Sequence, residues 1–224
     1  MKKKLYIWHR RLSVIIALPL VLWAGSGFMH PLMTSIRPSI ATQKIPVVPL
    51  DTSRIKLTLP EIMRKNSIGE IGNFRLVHFG DNWFYQVKTP GQNKLQYFSA
   101  DKGIRLRNGD ALYARYLART FLTGEISEPG SKSNDRISNN NQLKTTYDCC
   151  AAAAETAMGL TGDSRILAVK PVTDFTPEYK PVNRLLPVQK VFFDRDDDLR
   201  IYVETAHDRF ALAMDNNREW FDKW

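Results

Sequence analysis

The chain has 224 residues, of which 43% are hydrophobic and 25% charged, with a mean hydropathy of −0.32. That balance excludes a disordered chain and a many-span membrane protein, and two cysteines exclude a disulfide-framed scaffold. The net charge of +9 points toward nucleic acid only until the charges are located: residues 1–37 hold six basic and no acidic side chains, while the other 187 hold 26 basic against 23 acidic. A nucleic-acid-binding domain would carry its excess on the folded body, so nucleic acid is excluded as the partner.

In chain order, a basic tail (residues 1–11) precedes 25 consecutive residues without a formal charge, from Leu12 to Ile36. Residues 12–33 are predicted to form a transmembrane helix, since about 20 residues at ~1.5 Å each cross a hydrocarbon core of about 30 Å. Lys2, Lys3, Lys4, Arg10 and Arg11 lie before it. The positive-inside rule therefore puts the N-terminus in the cytoplasm and residues 40–224 across the membrane. A cleaved signal peptide is the competing reading; it fits the charged start and the small residues Ala24–Gly27, but the apolar run continues to Met33. Pro19 should kink the span or lean on a neighbouring helix. Gly25, Ser26 and Gly27 would admit another helix closely, or simply lie near the end of a membrane helix. His9 and His30 bracket the span. They read either as axial haem ligands, as a proton-active pair, or as interfacial polar side chains reaching water.

Residues 34–57, rich in Pro and β-branched residues, are predicted to be an extended tether. A short helix follows in LTLPEIMRKN, with Thr58 as N-cap and Pro60 and Glu61 in the first turn. Strands are expected at Phe74–Phe79, Trp83–Thr89 and Lys94–Ser99; the second alternates Trp83, Tyr85 and Val87 against Phe84, Gln86 and Lys88, as a half-buried antiparallel strand would. Residues 108–122 are predicted helical, with Leu112, Tyr113, Tyr116, Leu117, Thr120 and Phe121 on one stripe. Residues 125–145 read as a polar linker. A helix over Tyr147–Leu160 is then followed by strands at Ile166–Thr173, Val188–Asp194, Leu199–Thr205 and Phe210–Met214, and by a short amphipathic helix at Asn216–Trp224. The predicted class is α+β: one N-terminal transmembrane helix, then helix plus antiparallel sheet in two similar halves, 58–124 and 146–224.

Other candidate sites are sparse. Cys149 and Cys150 are adjacent; outside the cytoplasm they could close a strained and labile vicinal disulfide, or they are two small residues beside Ala151–Ala154. Asp194, Asp196, Asp197 and Asp198 echo a calcium loop, but Leu199 stands where glycine is required, so a charged hairpin turn is expected. His78 and His207 stand alone. No phosphate loop, nucleophile elbow or H-E-x-x-H motif marks an enzyme, and no catalytic residue or metal ligand is assigned.

Three segments carry a family resemblance. WHRRLSVIIALPLVLWAGSGFMHPL, with His9 and Arg10, resembles the first helix of the PepSY-associated transmembrane family. Trp83–Asp110, with Ala100, Asp101 and Gly103, resembles a PepSY repeat closing on its turn. Phe175–Ala211, with Asn183-Arg184-Leu185-Leu186-Pro187-Val188, resembles the later periplasmic part of the same family. The resemblance implies a bacterial inner-membrane protein with an α+β domain in the periplasm. Some members are haem-binding reductases linked to iron–siderophore uptake, and only His9 and His30 carry over as haem b ligands. Longer members continue past the region matching Trp220–Trp224 into further membrane helices. PepSY domains elsewhere act as protease-inhibiting or binding modules. The leading expectation is therefore an accessory, non-catalytic subunit in the lipid bilayer, paired with another membrane protein or with itself as a dimer, in iron uptake or redox work. The rivals are a haem-binding reductase component and a periplasmic protease-regulating module.

Overall fold

A computed structural model describes residues 2–92, 94–124 and 165–223. The polar linker, the helix expected over Tyr147–Leu160 and both cysteines lie outside the described residues. The protein is α+β, with an N-terminal apolar helix and two antiparallel sheets. The chain divides into two compact units, Met1–Arg37 with Asn217–Trp224, and Pro38–Asn216.

The first unit contains α1, Lys2–Ser35, an uninterrupted helix that includes Pro19 and Pro31. Its span Lys4–Met29 contains an 18-residue stretch with a mean hydropathy of 2.0, none of which is buried. Apolar side chains cover the helix all round (Leu5, Ile15, Leu18, Leu22 and Trp23 are all more than half exposed), so it is long and apolar enough to cross a membrane.

In the second unit, helix α2 (Leu59–Lys65) starts at Thr58, whose N–H and hydroxyl both donate to the Glu61 carboxylate, at 2.7 and 2.8 Å. Thr58 thus stands at the N-cap as the sequence led one to expect, with the Glu61 side chain reaching back to it from the first turn. Strands β1 (Asn73–Phe79), β2 (Asn82–Lys88) and β3 (Leu95–Ser99) form a meander in the order β1-β2-β3. Gly80, at φ +59°, supplies the left-handed residue of the β1–β2 turn. Helix α3 (Gly109–Thr123) ends at Gly124, in the left-handed region, whose N–H reaches the Thr120 carbonyl at 2.8 Å. Strands β4 (Ile166–Val172), β5 (Val188–Phe193), β6 (Arg200–Glu204) and β7 (Arg209–Met214) form a second meander; α4 (Asn216–Asp222) follows in the chain and, from Asn217 on, belongs to the first unit.

Helix α3 organises the body. It packs on β3 and on β4, β5 and β6, so one core joins Val77, Phe79, Phe84 and Tyr97 of the first sheet to Val191, Phe193, Ile201 and Val203 of the second. The predicted apolar stripe is buried except for Leu112, and Ala114, Ala118 and Leu122 are buried as well. A helix with a sheet on either side needs a wider covered face than one lying on a single sheet. Strand β2 departs from its half-buried expectation for a related reason: Trp83 through Val87 are all buried. Phe84 and Gln86 point to α3, while Trp83, Tyr85 and Val87 form a second core with Ile62 of α2. A third core, on the outer face of the second sheet, holds Tyr179, Val188, Tyr202, Leu212 and Met214.

The stretch read as a tether is irregular from Pro38 onward, with a single 3-10 turn at Thr52–Arg54, and it is laid against the body as a strap. Ile40 and Ile45 pack on the central core, while Val48, Ile55 and Leu57 pack on the second. Thr42 N–H donates to the Phe121 carbonyl at 3.1 Å, and Lys56 and Leu57 N–H both donate to the Ala100 carbonyl.

Candidate functional site

The side chains singled out in the sequence do not converge. His9 and His30 both lie on α1, and 21 intervening steps of helix separate them by roughly 31 Å. One haem cannot take both as axial ligands from a single chain, and each could offer only one ligand at its own level. In the body, His78 lies on β1 against the Trp83 ring, 5.0 Å between centroids. Burial, then the nearby Arg54 charge, hold its imidazole below the ordinary histidine value, so it stays neutral. His207 is exposed in the β6–β7 turn, its Nδ1 3.2 Å from the Glu204 carboxylate. The four aspartates form a hairpin turn between β5 and β6. Asp197 pairs with Arg195 at 2.7 Å, and Asp198, at φ +52°, lies 3.3 Å from Arg200. Among the described residues no three His, Cys, Asp or Glu side chains gather as a metal site requires.

The structure does bring together a set of polar residues that sequence reading missed. The face of β1 and β2 that meets α3 is apolar at Val77, Phe79 and Phe84 but carries Arg75 and Gln86 farther along. Both reach the β6–β7 turn. The Arg75 guanidinium donates to both carboxylate oxygens of Asp208, at 2.8 and 2.6 Å, and to the Thr205 carbonyl at 2.7 Å. Its Nε donates to Gln86 Oε1 at 2.6 Å. Gln86 Nε2 in turn donates to the Thr205 carbonyl at 2.8 Å and the Tyr97 oxygen at 2.6 Å. A two-pronged guanidinium–carboxylate pair fixes both position and angle.

Helix α3 closes this junction from its first turn. Asp110 Oδ1 accepts from the Tyr97 phenol at 2.9 Å and the Thr205 hydroxyl at 2.6 Å, and its Oδ2 accepts from Gln189 Nε2 at 2.6 Å. Tyr113 donates its phenol proton to Asp208 at 2.7 Å. Burial first, and the adjacent carboxylates second, push both phenols above the ordinary 10, so each remains a proton donor. Two carboxylates, two phenols, an arginine, two amides and a hydroxyl thus satisfy one another across both sheets. Chemically the junction is a latch: a network of mutually satisfied polar groups that ties the two sheets together.

Sequence comparison adds no relative. No protein-family model, curated protein or solved structure matches the chain.

Proposed function

We propose that this chain is a single-pass PepSY-type protein of the bacterial inner membrane, with its N-terminus in the cytoplasm and its body, in two PepSY-like halves, in the periplasm. It works there as a binding module, an accessory subunit to a membrane partner in iron uptake or redox. The observation that carries this reading is α1: a helix long and apolar enough to cross a membrane, unburied over Lys4–Met29, with its basic residues gathered before Leu12 and a folded body after it in the chain. A signal sequence would meet the same length and hydropathy test, and the continuous helix to Ser35 favours the anchor. A non-catalytic role is supported by the inter-sheet junction, where Asp110, Asp208, Tyr97 and Tyr113 already have protein partners. The family resemblance of residues 8–32, 83–110 and 175–211 supplies the cellular setting.

The test is site-specific photocrosslinking in living cells, with a photoreactive residue placed at Val14, Leu18 or Trp23 of α1. Adducts to one membrane protein, or to a second copy of the chain, are the expected result. Recovery of the chain in the soluble fraction without residues 1–33, or crosslinks to lipid alone, would overturn the accessory-subunit reading.

A further inference from the structure

An open cavity of about 570 Å³ lies beside the start of α3, on the other side of Asp110 from the latch. One wall is the beginning of β3, with Lys94. The other is the segment leading into α3, with Arg105 and Arg107. That segment is extended and bonded to the edge of β3: Ser99 N–H donates to the Ile104 carbonyl at 3.0 Å and Leu106 N–H to the Tyr97 carbonyl at 2.8 Å. Leu106 packs on the central core, so Arg105 and Arg107, one residue to either side, share the opposite face. The two guanidinium groups are thus carried by a segment fixed in place by the sheet.

The cavity is basic: three cations and one carboxylate stand on its wall. Among the described residues, Lys94, Arg105 and Arg107 have no carboxylate partner, and all three are exposed. The one carboxylate on the wall, Asp110, has its oxygens taken by Tyr97, Thr205 and Gln189. The start of α3 adds to the positive side. Asn108 makes no side-chain capping bond, and Gly109 and Asp110 line the cavity in the first turn of a 15-residue helix. First-turn N–H groups and the helix dipole favour an anion there. The helix start is also held in place. A Cβ on Gly109 would lie 2.7 Å from the Tyr97 ring, so only glycine lets α3 begin this close to β3.

We infer that this cavity binds a phosphate ester. Two forked guanidinium groups and an ammonium match the several acceptor oxygens of a phosphate better than the two of a carboxylate. The volume falls in the range of small-ligand sites and leaves room for the group the phosphate esterifies. The chemistry is shared by a soluble phosphate ester and by the headgroup of an anionic phospholipid. This inference is independent of the membrane-partner reading, since it rests on the body alone.

The experiment is calorimetric titration of the full chain in non-ionic detergent with glycerol 3-phosphate and, separately, inorganic pyrophosphate. Saturable one-site binding is expected, weakened about tenfold or more in the double variant R105Q/R107Q, the loss of at least one charge-assisted contact. Lys94→Gln alone should weaken it by a smaller factor, which keeps the test open should the double variant lose its circular dichroism signature. The control K102Q/K170Q, which removes two exposed lysines outside the cavity, should bind as the parent does. The source is then read from the chain in lipid nanodiscs. Glycerol 3-phosphate binding suppressed by phosphatidylglycerol but not by phosphatidylcholine assigns the cavity to a headgroup; equal binding in both assigns it to a soluble ester. No saturable binding to either probe, or equal affinities for parent, Lys94→Gln and R105Q/R107Q, would overturn the inference.

Discussion

The two sheets of the body share α3 on their inner faces but solve the problem of their outer faces differently. The first is covered by several aliphatic side chains: Ile62 of α2 and Val48, Ile55 and Leu57 of the strap. The second is covered by the loop between β4 and β5, whose one fully buried side chain is Tyr179, with Leu185 and Leu186 packed beside it. Tyr179 is fully buried, stacks on Tyr202 with 4.8 Å between centroids, and donates its phenol to the Leu185 carbonyl at 2.8 Å. The difference teaches that a sheet face can be closed by several modest aliphatic contacts or by a single aromatic plug. The plug concentrates the stabilisation in one place, and so concentrates the loss.

This contrast can be broken from either side. Tyr179→Ala should cost about 4 kcal/mol, the upper range for removing a fully buried aromatic side chain. Hydrogen exchange should show the loop at residues 174–187 opening while the first sheet stays protected. Ile62→Ala should cost about 3 kcal/mol in denaturant unfolding, with the strap still covering part of the face. If the two losses were equal and equally spread through the body, the plug description would fail. Arg75→Met tests the latch between the sheets. It leaves Asp208 with the Tyr113 phenol alone, and a cost of about 2 kcal/mol is expected, below that of a fully buried pair because both groups are partly exposed. A Tm that does not move would mean that core packing alone fixes the sheets.

The smallest effect sharpens the helical side of the comparison. Backbone and hydroxyl hydrogen bonds from Thr58 hold the Glu61 carboxyl below its ordinary 4.5. A carboxyl depressed in the folded state adds stability that is complete above the unfolded value and is lost as pH falls through the lower folded one. The first sheet's helical cover should therefore loosen only in acid below that value, whereas the Tyr179 plug has no such dependence. Carbon-detected titration of Glu61 should give a midpoint below 4.5, and Thr58→Val should move it back up.

How much of this was legible in the sequence follows from distance along the chain. The seven strands and α3 stand within a few residues of their expected limits, because alternation, glycine turns and helical stripes are local signals. The second buried side of α3 was not legible, since the small side chains of Ala114 and Ala118 add little to an apolar stripe although both are buried. Gln86, which alternation places with the solvent side, is buried because a turn more than 100 residues later comes to meet it. Arg75 and Asp208 are separated by 133 residues, and no local pattern links them. One clue was available: an arginine and a glutamine interrupting a strand face otherwise made of Val77, Phe79 and Phe84 ask for a polar partner. The basic cavity was hidden for another reason. Arg105 and Arg107 read as ordinary surface charge until the β3 edge fixes them on one side of a wall.

The strap has a consequence for any cut made ahead of the body. Ile40 and Ile45 pack on the central core and Val48, Ile55 and Leu57 on the next, so these five side chains tie the strap to both cores while the residues between them stay largely exposed. A protease cutting between these contacts would detach part of the cover of one core or of both. A cut between the end of α1 at Ser35 and Ile40 leaves all five contacts in place, so a shortened form with undiminished stability should begin within that window.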